Sequence, residues 1–156
     1  MLRFVEALPE NRDLLFNIHQ KYLYEMTNYY PDNMDAHGNY HYGYFDAYFT
    51  DPDRKALLIY SGDKLAGFAM INPYSYIGKK PDHVLAEFCI FPVYRRSGIG
   101  TAAADYILKW FPGSWEIKYN ENNTAAKQLW HKLTARYNPE KHFYSDEETV
   151  LSFTVA

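Results

Sequence analysis

The chain has 156 residues, which suits one domain with a substantial hydrophobic core, and its formal net charge of -3 argues against general nucleic-acid binding because no basic field holds a phosphate polymer. Apolar residues make up 47% of the sequence, yet no stretch approaches the ~18 consecutive apolar residues of a membrane span, so we expect neither a membrane anchor nor a signal peptide. The single cysteine, Cys89, cannot form an internal disulfide, so we expect a reducing, cytoplasmic setting.

The first third of the chain is predicted to form a strand, a helix and an irregular aromatic segment. Leu2–Leu8 alternates as a strand does, and Pro9 opens a stretch with apolar residues at helical spacing. These apolar residues are Leu14, Leu15, Ile18, Tyr22 and Met26. Pro, Asn, Asp and Gly interrupt residues 29–49, which predicts a loop with a short helix near Tyr44–Phe49.

The middle of the chain is predicted to add three strands and a helix. Lys55–Tyr60 and Leu65–Asn72 are apolar runs joined by Ser-Gly-Asp-Lys, which favours an antiparallel hairpin. His83–Phe91 is a third apolar run, closed by Pro92. An amphipathic helix follows, and the residues assigned to its buried face are Ile99, Ala103, Tyr106, Ile107 and Trp110.

The last third is predicted to contain a strand, a helix and a terminal strand pair. Trp115–Tyr119 is the strand, and Asn123 is placed to cap the helix after it. The buried residues predicted for that helix are Ala126, Leu129, Trp130 and Leu133. His142–Tyr144 and Thr149–Val155 are expected to pair antiparallel. The alternation of strands and helices implies an α/β fold with a partly parallel sheet, in one domain over residues 1–156.

The loop before the predicted helix at residue 99 carries the strongest chemical signal. Gly98 and Gly100 at the start of a helix let backbone N–H groups approach a phosphate closely, and the helix dipole favours negative charge. Arg95 and Arg96 add positive charge just before them, so the loop is predicted to bind a pyrophosphate. A loop that only connects a strand to a helix is the alternative, which the arginine pair and Pro92 make less favourable.

This loop resembles the acetyl-CoA loop of the GNAT superfamily of N-acetyltransferases, Val-x-Pro-x-Tyr-Arg-x-x-Gly-Ile-Gly. The positions in register are Ile90, Pro92, Tyr94, Arg95, Gly98, Ile99 and Gly100. A second signature of the family is matched by Asn123, Ala126, Trp130, Lys132 and Leu133. The resemblance is close over about residues 55–135. Within the family the chain looks most like a subgroup of predicted acetyltransferases with Glu-Phe-Phe-Val in the strand, matched here by Glu87–Ile90.

The resemblance implies a mixed, mostly antiparallel sheet, splayed at its middle and flanked by helices. It also implies direct transfer of an acetyl group from acetyl-CoA to a primary amine of a small molecule or peptide. The cofactor-binding residues that it implies are Ile90, Arg95, Arg96, Ser97, Gly98, Ile99, Gly100, Thr101, Asn123 and Trp130. At Trp130 the family commonly has a tyrosine that protonates the departing thiolate, and an indole N–H is no practical acid. Water, another tyrosine or no acid at all stays open for that step.

Glu87 is the candidate catalytic base. Direct transfer needs a neutral amine, whereas an alkylamine of pKa ~10.4 is protonated at neutral pH. Glu87 lies three residues before Ile90, whose backbone N–H is expected to polarise the thioester carbonyl. An ion pair between Glu87 and a nearby cation is an equal alternative.

The acceptor site is predicted in residues 22–48, which hold eight tyrosines and four carboxylates. Ring faces and carboxylates together suit a cationic amine, and the matching segment of the GNAT family covers the acceptor side of the sheet. The substrate-binding residues predicted here are Tyr29, Tyr30, Asp32 and Asp35. At least three of the rings are expected to line a cleft, although the tyrosines could instead form a dimer face. Monomer and homodimer stay open.

Two functions of other classes are alternatives. Gly98–Ala103 also spells the dinucleotide fingerprint Gly-x-Gly-x-x-Ala, but six residues separate it from its strand and about 55 residues follow it, which disfavours an oxidoreductase. Trp130 keeps open a CoA-binding module without catalysis. His37 and His41 lack a third spaced ligand, so no metal site is predicted.

Two single residues complete the sequence expectations. Cys89 is interpreted as a small buried side chain, because no positively charged neighbour is evident in the sequence to activate a thiol as an acyl carrier. His131 is expected to face solvent beside Lys132.

Overall fold

A computed structural model describes residues 1–156. The strands are β1 (Leu2–Glu6), β2 (Lys55–Ser61), β3 (Lys64–Asn72), β4 (His83–Ile90), β5 (Gly113–Asn120), β6 (Glu140–Ser145) and β7 (Glu148–Val155). The α-helices are α1 (Arg12–Met26), α2 (Ala47–Thr50), α3 (Ile99–Trp110) and α4 (Thr124–Thr134). All seven strands form one sheet in the order β1-β2-β3-β4-β5-β7-β6. No helix is long and apolar enough to cross a membrane.

The sheet is mixed and opens at its middle. Every neighbouring strand pair is antiparallel except β4 and β5, which run parallel. These two strands pair only from His83 opposite Trp115 to Leu85 opposite Ile117. Beyond Leu85 they separate, so Ala86–Ile90 faces Lys118–Asn120 across a gap. The predicted architecture, a mostly antiparallel sheet splayed at its middle and flanked by helices, is confirmed.

The register of β3 against β4 sets which backbone groups face the gap. The Phe91 N–H donates to the Ala66 carbonyl at 2.8 Å, so Gly67 and Ile90 form a non-hydrogen-bonded pair. The Ile90 N–H therefore points away from β3 and toward the gap. A side chain at Gly67 would collide with the Cys89 carbonyl, so this close approach of the two strands requires glycine.

Apolar side chains alternate along the strands and bury two clusters on opposite faces of the sheet. One cluster of 18 buried residues packs under α3 and α4. The other, of 10 residues, packs under α1 and α2 and includes Cys89, which is buried as predicted.

Two predicted orientations were wrong. Tyr106 and Trp110 of α3 are 49% and 51% exposed, because Tyr106 stacks on Phe4 of the edge strand β1 and Trp110 packs edge-to-face on the same ring, instead of entering the core. His131 is half-buried, since its Nε2 lies 2.7 Å from the Tyr119 hydroxyl and shares a hydrogen bond with it. Both differences arise from contacts between segments distant in sequence.

Candidate active site

The gap between β4 and β5 opens into a cavity of about 890 Å³. Its walls come from α1 and the segment after it, from β4 and β5, from the loop before α3, and from the start of α4. The volume lies within the roughly 300–1,000 Å³ typical of small-molecule and cofactor sites. Because the strands separate here, the cavity reaches side chains from both faces of the sheet.

The loop before α3 presents unused backbone donors. Arg96 and Gly98 adopt left-handed conformations with φ of 61° and 83°, which turn the chain tightly into the helix. The N–H groups of Arg96, Ser97 and Gly98 donate to no group of the chain. The first N–H groups of α3 have no intrahelical partner, as in any helix, and no side chain caps them. This arrangement suits an anion such as a pyrophosphate.

The predicted loop residues contribute in different ways. Arg96, Gly98, Gly100 and Thr101 line the cavity. The Ser97 hydroxyl donates to the Tyr94 carbonyl at 2.6 Å, and the Ile99 side chain packs against the core. Ser97 and Ile99 therefore do not line the cavity, and each contributes only a backbone N–H to the donors of the loop.

Arg95 lines the cavity but is strongly engaged by the protein itself. Its two terminal nitrogens donate to the Glu25 carboxylate at 2.7 and 2.8 Å, and its Nε donates to the Ile90 carbonyl at 2.7 Å. Arg95 accordingly holds the pKa of Glu25 below its usual range. The residue ties the end of β4 to α1, whereas Arg96 has no ion-pair partner and is the free cation of the loop.

Glu87 faces the cavity from β4 where the strands have separated. Burial raises the pKa of Glu87 to about 7, and the Tyr22 hydroxyl and the Lys118 ammonium oppose this rise. The carboxyl is therefore divided between its neutral and charged forms near neutral pH, as a general base requires.

Tyrosine rings surround Glu87. Five of the eight tyrosines in residues 22–48 line the cavity, and Tyr76 joins them from the loop between β3 and β4. Burial, followed by the Glu87 charge, raises the pKa of Tyr42 and Tyr76. The five tyrosines of the predicted segment are Tyr22, Tyr29, Tyr30, Tyr40 and Tyr42.

The carboxylates of the predicted acceptor segment divide into two groups. Asp32 lines the cavity. Asp35 lies outside the lining, where its carboxylate accepts hydrogen bonds from the N–H groups of His37 and Asn39 and holds its own loop. Asp46 is ion-paired with Arg12. No group of three or more His, Cys, Asp or Glu side chains is arranged to hold a metal ion.

The end of β5 and helix α4 contribute three polar or aromatic side chains. Asn123 caps α4 by accepting a hydrogen bond from the Ala126 N–H at 3.2 Å, as predicted. Trp130 lines the cavity and packs edge-to-face on Phe88 with ring centroids 5.3 Å apart. Just before the helix, the buried Asn120 also lines the cavity, and its Nδ2 has no hydrogen-bond partner.

Sequence reasoning missed Tyr76, Lys118 and Asn120. The alternation along β5 could have identified the last two, since Lys118 and Asn120 are the polar positions beside the predicted gap. Tyr76 had no signal beyond its place in a loop before the motif strand.

The fold is similar to that of solved acetyltransferase structures. Over 99% of the chain, an acetyltransferase from Thermus thermophilus superposes with a TM-score of 0.71 at 15% identity, covering 97% of that chain. A spermidine N-acetyltransferase from Vibrio cholerae, in complex with CoA and spermine, gives 0.66 at 10% identity over 99% of this chain and 94% of that one. The ribosomal-protein-S18-alanine N-acetyltransferase from Escherichia coli gives 0.66 at 12% identity over 100% and 95%.

The sequence itself is matched at the level of a family. None of the curated protein sequences matches the chain significantly. The profile of the Acetyltransferase (GNAT) family matches residues 15–134, which include most of α1, the gap, the loop before α3 and α4. The chain therefore belongs to the GNAT acetyltransferase family and is an acyltransferase.

Proposed function

We propose that the protein, acting as one domain over residues 1–156, transfers an acetyl group from acetyl-CoA directly to a primary amine of a small molecule or peptide. The observation that carries this proposal is Glu87, a carboxyl with a pKa of about 7 beside the gap in the sheet. The GNAT family uses acetyl-CoA, and the two relatives with named substrates acetylate amines. The single buried cysteine suits a cytoplasmic enzyme.

The donors on this chain suit a CoA thioester. The free N–H groups at the start of α3, with Arg96 beside them, would hold the pyrophosphate. The unpartnered Asn120 Nδ2 and the inward-pointing Ile90 N–H offer further donors along the gap. When bound, acetyl-CoA supplies an activated acyl group.

The side chains then have separable roles. Glu87 removes a proton from the acceptor ammonium, because only the neutral amine is a nucleophile. The Ile90 N–H stabilises charge that develops on the carbonyl oxygen. Trp130 provides no acid, but a thiol of pKa ~8.5 leaves tolerably as its anion.

The test is an assay of free CoA release with a panel of amines, polyamines, amino acids, aminosugars and peptides. We expect release with at least one class of primary amine. Trp130 also favours a second candidate, a CoA-binding module without catalysis. Calorimetric binding of acetyl-CoA without release from any amine would support that module, and absence of binding would contradict both functions.

Replacing Arg96 with alanine is expected to raise the Michaelis constant for acetyl-CoA by roughly one to two powers of ten, since a charge-assisted contact contributes ~1.5–3 kcal/mol. Steady-state kinetics with varied acetyl-CoA measures this constant. Arg3→Ala is the matched control, because Arg3 is exposed on β1 and does not line the cavity. An unchanged constant in Arg96→Ala would refute a role for this residue in cofactor binding.

A further inference from the structure

Lys118 is enclosed in an aromatic cage at the edge of the cavity. It lies on β5 beyond the point where the strands separate, and its Nζ is 2.9 Å from a Glu148 carboxylate oxygen. The same Nζ lies 4.7 Å from the ring centre of Tyr76, 4.9 Å from Tyr144 and 5.9 Å from Tyr30. The Tyr30 hydroxyl donates to Glu148 at 3.1 Å and closes the cluster.

The cage belongs to the wall of the cavity that Glu87 faces. Tyr30, Tyr76 and Lys118 line this cavity together with Glu87. The Lys118 charge acts on Glu87, whose pKa it lowers against the effect of burial. Proteins use such cages of rings to bind the cationic groups of ligands. Here an ammonium of the protein already occupies the cage.

Several charged groups that line the cavity are already paired. Its carboxylates are Glu25, Asp32 and Glu87, and its cations are Arg95, Arg96 and Lys118. Glu25 is engaged by Arg95, and Lys118 is engaged by Glu148. Glu87 and Asp32 are thus the lining carboxyls without an ion-pair partner, and Glu87 is the one that lies on β4 at the gap.

We propose that Lys118 is a specificity-determining residue that restricts the acceptor to monoamines with an uncharged apolar or aromatic body. The proposal rests on the proposed amine acetyltransferase function and narrows its substrate class. A second ammonium on the acceptor finds the rings of the cage already filled and Glu148 already paired with Lys118, whereas an aromatic or alkyl body packs on the tyrosine rings. Leaving the charge of the wrong substrate unpaired is a general means of specificity.

The experiment compares pentylamine with 1,5-diaminopentane, which share a carbon chain and differ in the second ammonium. At pH 7.5 we expect the kcat/KM of the native enzyme to favour pentylamine by about tenfold or more. Lys118→Met keeps the length of the side chain and removes its charge, so the preference is expected to shrink by about tenfold. Lys118→Arg should retain the preference. Lys109→Met is the matched control, because Lys109 is ion-paired with Asp105 on α3, outside the cavity.

Two results would overturn the proposal. The first is an equal kcat/KM of the native enzyme for 1,5-diaminopentane and pentylamine. The second is an unchanged ratio of these two kcat/KM values in a folded Lys118→Met variant. Failure of the proposed function looks different, because no amine then releases CoA although acetyl-CoA binds. In that event, calorimetry measures the dissociation constants of the two amines from the CoA complex. Their ratio in the native protein and in Lys118→Met then tests the inference independently of turnover.

Discussion

Turnover is expected to fall by roughly two to four powers of ten in Glu87→Gln, because a positioned general base contributes about that factor. The amide keeps the size of the side chain but cannot accept a proton from the ammonium. Binding of acetyl-CoA, measured by calorimetry, should be unchanged, since Glu87 lies at the gap and not at the loop before α3. A variant that keeps more than about a tenth of native turnover would assign the base to another group.

The pH dependence provides a second measurement of the same role. The pKa of Glu87 is about 7, and the base acts in its ionised form, so native kcat/KM should rise with pH through 7. In Glu87→Gln, the rise of kcat/KM between acidic and neutral pH should disappear from the residual activity. A rise that persists in the variant would belong to another titrating group.

The free energy of unfolding shows whether Glu87→Gln loses activity through its chemistry or through its fold. Because the pKa of Glu87 is raised from its ordinary value to about 7 by folding, the folded state holds this proton more tightly than the unfolded state. The contribution of Glu87 to the free energy of unfolding therefore falls as pH rises from about 4.5 to 7, by roughly 3 kcal/mol. Glu87→Gln should be at least as stable as the native protein at pH 8, as urea denaturation would show.

His19→Phe is expected to remove the destabilisation that His19 causes as pH falls, an effect opposite in sign to that of Glu87. His19 of α1 is fully buried among four aromatic rings, and neither ring nitrogen has a hydrogen-bond partner. Burial lowers its pKa to about 4. Between pH 6.5 and 4 the unfolded state binds the proton and the folded state does not, so stability falls with pH by about 3 kcal/mol.

Urea denaturation at pH 8 and pH 5 measures this loss. At pH 5 the native protein should be about 2 kcal/mol less stable on account of His19, and the Phe variant should lose that much less. The variant is also expected to match the native protein at pH 8, because phenylalanine places no unpaired nitrogen in the cluster. His37→Gln, at an exposed loop position, is the control and should leave the pH dependence unchanged. The same change in stability from pH 8 to pH 5 in His19→Phe and in the native protein would refute the assignment.

Local sequence patterns predicted the elements of the fold well, because periodicity and breakers act over a few residues. The hairpin of β2 and β3, the cap at Asn123 and the start of α3 all depend on neighbours in the chain. The ion pair of Arg95 and Glu25 joins residues 70 positions apart, and it could not be read from either motif.

The acceptor side shows the same limit more strongly. The Lys118 cage combines side chains from the segment after α1, the loop after β3, and strands β5, β6 and β7. Composition predicted that rings would line a cavity. It could not indicate that the Asp35 carboxylate accepts hydrogen bonds from the N–H groups of its own loop, because these contacts depend on the loop's conformation.

Only three residue pairs join β4 to β5, and this short seam divides the sheet into two slabs. One slab contains β1–β4, and the other contains β5, β7 and β6. Few backbone hydrogen bonds join the two slabs, so a molecule bound in the gap would add contacts that connect them. We expect the amides of Phe88 and Ile90, which face the gap, to exchange with deuterium faster than those of β3 in the free protein. Acetyl-CoA at about a hundred times its dissociation constant should slow that exchange and add about 2.7 kcal/mol to the stability of the whole domain. The binding energy that holds the cofactor would thus also stabilise the junction between the two halves of the sheet.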